Sequence, residues 1–70
     1  MSRIVIGFEF AEDLAAARKI FGGHYAPTTW RRRSMVYDDG ERGVGTALEA
    51  IEVLVRQGFT FRVESTRRGA

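Results

Sequence analysis

The 70-residue chain has no cysteine, one histidine and one proline. Lacking cysteine, it has no disulfides, no thiolate zinc ligands and no cysteine nucleophile, and such a composition suits a reducing compartment. His24 has no second histidine or cysteine near it, so it cannot anchor a recognisable metal site; its expected place is a loop or helix terminus. No stretch approaches the run of about 18 apolar residues that spans a membrane. Met1-Ser2-Arg3-Ile4 leads directly into strand-like sequence instead of a secretory signal, and a cytoplasmic location is expected. Charge of one sign is also scarce. Eleven Lys and Arg against nine Asp and Glu give +2, less than the basic excess usual in sequence-independent DNA binders.

Seventy residues supply one core and therefore one domain, 1–70, with 65–70 expected to fray. A domain of this size buries only roughly 60% of its unfolded surface and is marginally stable, so self-association or a partner is the expected stabiliser. The 44% hydrophobic and 29% charged residues are ordinary for a folded domain, and disorder is expected only at the ends. Ten of the eleven basic residues are arginine, which favours planar, bidentate contacts with carboxylate or phosphate.

Along the chain, Ile4, Ile6, Phe8 and Phe10 alternate with Arg3, Val5, Gly7 and Glu9, predicting a strand with one buried face. Glu12 to Phe21 takes helical spacing, with Leu14, Ala17, Ile20 and Phe21 on one face, and Gly22-Gly23 stops it. His24 to Thr29 reads as a connection or a short edge strand. Trp30 to Tyr37 reads as a strand and Asp38-Asp39-Gly40 as a turn. Thr46-Ala47-Leu48-Glu49 fits a capping box opening a second helix, with Ala47, Leu48, Ile51, Leu54 and Val55 as its apolar stripe and Gly58 as its stop. Phe59, Phe61 and Val63 alternate as a closing strand. The fold class is α+β, in the order β-α-β(-β)-α-β with both helices on one face of a small sheet, ferredoxin-like or a reduced version of it. That layout hosts many unrelated functions.

Gly40-Glu41-Arg42-Gly43-Val44-Gly45-Thr46 resembles a phosphate loop only in part: Thr46 stands where a Walker loop needs lysine, and Leu48 where a dinucleotide fingerprint needs glycine. Trp30-Arg31-Arg32-Arg33 is the most distinctive segment. As a strand it places arginine on both faces, and three readings compete: an edge strand defended by charge, a nucleic-acid surface with Trp30 or Tyr37 stacking on bases, or a patch for an acidic protein. Val53 falls opposite the Ile51 stripe and reads as a single exposed apolar residue or a dimer or partner contact. No spacing demands catalysis by His24 with Tyr25 and Ser34 or Ser65, and the expectation is a non-enzyme without metal or cofactor.

Met35-Val36-Tyr37-Asp38-Asp39-Gly40 running into Gly43-Val44-Gly45-Thr46-Ala47-Leu48-Glu49-Ala50 is similar to many small phage and mobile-element proteins, compact anti-CRISPR inhibitors among them. The likeness covers about half the chain, rests on a supersecondary pattern and size, and carries over no functional residue. It implies a non-enzymatic inhibitor that blocks the nucleic-acid-binding surface of a host defence complex, through the arginines or through Glu41, Glu49 and Glu52 as phosphate mimics. Double-stranded-RNA-binding domains share the Gly-x-Gly entry into a helix, but theirs opens with lysines where Glu49 and Glu52 stand here. The expected function is a protein-binding module whose partner residues are Trp30, Arg31, Arg32, Arg33, Tyr37, Arg42 and Val53. The alternatives are a small nucleic-acid-binding domain using the arginine and aromatic segment, or a structural homodimer joined through an open sheet edge or the Val53 side of the second helix.

Overall fold

The computed structural model describes the backbone of residues 2–38 and 41–67 and the side chains of residues 3–38 and 44–65. Six elements follow in the order β1 (Ser2–Gly7), α1 (Ala11–Phe21), β2 (Thr29–Trp30), β3 (Ser34–Tyr37), α2 (Glu41–Arg56) and β4 (Arg62–Arg67). The strands form one sheet ordered β2-β3-β1-β4, with every neighbouring pair antiparallel. This is the β-α-β-β-α-β ferredoxin-like topology, an α+β fold. α2 packs above β1 and β3, and right-handed crossovers set α1 toward the β2 side. Arg18 of α1 lying over the Trp30 ring of β2 agrees with that placement.

Ile6 stands opposite Met35 on one side and Val63 on the other, so all three share the face beneath the helices. Ile4, Ile6, Phe8, Met35 and Tyr37 meet Leu14, Ala17 and Phe21 of α1 and Ala47, Ala50 and Leu54 of α2 in one core. Ala47 and Ala50, both fully buried, let α2 approach the sheet closely. Among the described residues, no helix covers the opposite face, which carries Arg3, Val5, Gly7 and Ser34. Val36 is nevertheless buried there, flanked by its register partners Val5 and Thr29.

Several sequence expectations change. Phe10 does not continue β1: it turns into α1 as its extended N-cap residue and is 53% exposed. Ile20, placed on the buried face by spacing, lies outside the stripe of Leu14, Ala17 and Phe21. Trp30 to Tyr37 is not one strand, because the three arginines turn the chain between β2 and β3. α2 begins at Glu41, so Thr46 lies inside the helix and is no cap. The earlier start lets Val44 pack against the core one turn before Ala47 and Leu48, and that contact outweighs glycine's helix cost of roughly 1 kcal/mol. The apolar stripe of α2 centres on Ala47, Ala50 and Leu54, which turns Leu48 and Val55 to solvent and packs Val53 against the core. β4 starts at Arg62, after Phe59 and Phe61 have packed around Phe8. It runs through Ser65, expected to fray, to Arg67, which pairs with Ser2.

The α2 terminus is as expected. Gly58, at φ +81, donates its N–H to the Val55 carbonyl while Phe59 donates to Leu54, the paired bonds of a Schellman cap. Gly22, at φ +57, ends α1 with a bond to the Arg18 carbonyl. Glu52 and Arg56 form the expected i,i+4 pair at 2.7 Å.

Candidate functional site

The β2–β3 turn exposes Arg31, Arg32 and Arg33 together. A two-strand segment with arginine on both faces would bury guanidinium groups, and the chain avoids this by placing all three in the connection. The Arg31 N–H donates to the Ser34 carbonyl at 2.9 Å, closing the turn. No residue of it has positive φ, unlike the primed turns that match strand twist, and β2 stays paired for only two residues. The Arg33 carbonyl accepts from the Phe8 N–H at 2.7 Å, and the Arg33 Nη1 donates to the Glu9 carbonyl at 3.3 Å. Those bonds tie the turn to the end of β1, so its arginines are carried on a held backbone.

Beside the turn, the open face of the sheet forms a shallow basin of about 450 Å³. Val5, Gly7 and Ser34 floor it; Arg31, Arg32 and Arg33 stand along one side, and Arg62 and Glu64 of β4 along the other, with Glu9 at the end. The basin is wide and open to solvent, suited to a protruding side chain of a partner more than to enclosing a small substrate. Among the described residues, Arg31, Arg32, Arg33 and Arg62 make no ion pair. The Arg3–Asp38 pair, at 2.8 Å, lies at the other end of the same face, where the Asp38 N–H also donates to the Thr28 hydroxyl.

The remaining expected partner residues are dispersed. Trp30 projects to the helix side, half-buried, with the Arg18 guanidinium 4.6 Å from its ring centre. Tyr37 is buried beneath the helices and its hydroxyl donates to the Tyr25 carbonyl, so the stacking role expected of it is corrected to a core role. Burial pushes its phenol up to about 12. Val53 is half-buried and packs against the core instead of standing free on the outer face of α2. The side chains of Arg42 and Glu41, and the tail from Arg68, lie outside the described residues.

His24 follows α1 at one end of the sheet, whereas Ser34 pairs with Gly7 at the other, so the fold does not bring that pair together. The sequence reading passed over Arg62, Glu64 and Glu9; knowing that β4 begins at Arg62 beside Gly7 is what places them at the basin. No protein-family model, no curated protein and no solved structure matches this chain.

Proposed function

We propose that this domain is a non-enzymatic protein-binding module whose β2–β3 arginine turn docks on an acidic surface of a partner. The observation that carries the reading is three adjacent exposed arginines on a turn held by hydrogen bonds at Arg31 and Arg33. Guanidinium groups presented this way make bidentate contacts with carboxylates, and a backbone already held in place loses less entropy on binding.

One feature favours carboxylate over nucleic acid. The open face presents no aromatic side chain on β1 or β3, so bases have no stacking platform. Inhibition of a host nucleic-acid-targeting complex is the narrower form of the proposal and rests on the resemblance to small phage proteins. Within it, contact through the arginines draws more support than phosphate mimicry, since Glu52 is already paired with Arg56.

The test is capture of partners from host lysate with and without nuclease, using the native chain and a variant with Arg31, Arg32 and Arg33 all changed to alanine. A nuclease-resistant acidic protein bound about a hundredfold more weakly by the folded variant is the expected result. Recovery that disappears with nuclease, or an unaltered affinity in the variant, refutes it.

A further inference from the structure

β4 forms one edge of the sheet, and among the described residues nothing pairs with the side of its six residues turned away from β1. Unprotected edges invite pairing with another strand. The helix side of this edge is uncovered as well: Val63 shares the face of the fully buried Ile6 yet remains 46% exposed. The right-handed crossover and the wheel of α2 turn Leu48, Ile51 and Val55 toward the β4 side of the helix and Val53 to the opposite flank, with Ile51 and Val53 both packed against the core. Leu48 and Val55 are 58% and 63% exposed. A free edge and an apolar helix flank therefore adjoin.

We propose that this edge pairs antiparallel with β4 of a second copy, about a two-fold axis through Val63. The occupant is identified by charge. A two-fold perpendicular to the sheet keeps the helices of both copies on one side and permits only registers in which a residue stands opposite its own equivalent. Centring on Val63 sets it against the partner's Val63 and places Arg62 opposite the partner's Glu64, twice by symmetry. Sliding one residue along the strand either way puts Arg62 against the partner's Arg62 or Glu64 against the partner's Glu64, and like charges directly opposite are destabilising. In the favoured register Phe61 lies across from the partner's Ser65, and the two Val63 side chains meet on the helix side. The pairing joins two four-stranded sheets into one of eight and covers apolar surface that a small domain without disulfides leaves exposed. It stands independently of the arginine-turn reading.

The experiment is sedimentation of the whole chain over a dilution series, with circular dichroism to establish folding. The native chain is expected to be a dimer. Arg62→Glu and Glu64→Arg each set like charges against one another at two symmetric positions, and each is expected to weaken self-association by about ten- to a hundredfold. Equimolar mixing of the two variants restores opposite charges and should recover the dimer, as should both substitutions in one chain. A native chain that stays monomeric overturns the proposal and leaves the edge for a different protein. So does a dimer that either folded single variant leaves intact, or folded variants that fail to associate when mixed or combined.

Discussion

Replacing Tyr37 by phenylalanine removes one oxygen from the core and should reverse the order of stability of the two proteins as the pH is raised. The native hydroxyl is buried and donates to the carbonyl of Tyr25, a residue held at φ +56 with its ring edge-on to Phe21 at 5.7 Å. Losing that bond near neutrality should cost about 1 kcal/mol. At high pH the balance changes. Burial moves the Tyr37 phenol from 10.0 to about 12, so between these values the unfolded chain gives up its proton while the folded chain keeps it. With fewer protons on the unfolded state, stability falls as pH rises: the contribution is intact below pH 10 and is lost through about pH 12. At about 1.4 kcal/mol per pK unit the loss is roughly 2–3 kcal/mol. Tyr37→Phe lacks this term, and titrating groups common to both chains cancel in the comparison. Urea unfolding followed by the fluorescence of Trp30, the only tryptophan, measures both proteins at fixed concentration from pH 8 upward. The native protein should be the more stable below pH 10 and the variant the more stable near pH 12. Parallel stability curves that never cross would refute a buried, hydrogen-bonded phenol at this position.

Leu54→Ala should cost about 2–5 kcal/mol and abolish the cooperative urea transition of so small a domain. Ile20→Ala, at a site 47% exposed, should stay within about 0.5 kcal/mol of native. Gly45 inside α2 and Gly58 in the cap after it should respond with opposite signs in thermal melts. Gly45→Ala meets nothing within 4 Å inside the helix and should stabilise by about 0.5–1 kcal/mol, whereas Gly58→Ala forces a side chain to φ +81 and should destabilise by about 1 kcal/mol or more.

Strong local signals placed most of the fold in the sequence. The Ile4, Ile6 and Phe8 alternation, the acids opening α1 and the bases closing it, and the glycine stops at Gly22 and Gly58 each depend on neighbours a few residues away, and each appears where its spacing put it. Long-range packing decided the rest. Thr46 and Glu49 make a sound capping pattern, but Val44 gains more by entering the core, and the helix grows backward through Gly43 and Gly45. Leu48 and Leu54 look alike on a wheel drawn without knowing where the sheet lies. Only Leu54 is buried, because α2 presents Ala47, Ala50 and Leu54 to β1 and β3.

The arginines illustrate the same division. Three adjacent guanidinium groups are visible in the sequence, and drawn as a strand they carry charge to both faces, an arrangement that marks an element boundary as much as a binding surface. The hydrogen bonds from Arg31 to Ser34 and from Phe8 to Arg33 make the boundary a turn and direct the arginines beside the open face. β4 holds the opposite case. Arg62-Val63-Glu64 is an inconspicuous triplet among alternating residues, and its self-complementarity has meaning only once Val63 is known to lie on an uncovered edge opposite Ile6. Charge in the turn could be read before the fold was known. Charge on the edge acquires a partner only through the order of the strands, which is why the triplet favours the Val63-centred antiparallel register over its two neighbours here and would favour none in the middle of a sheet.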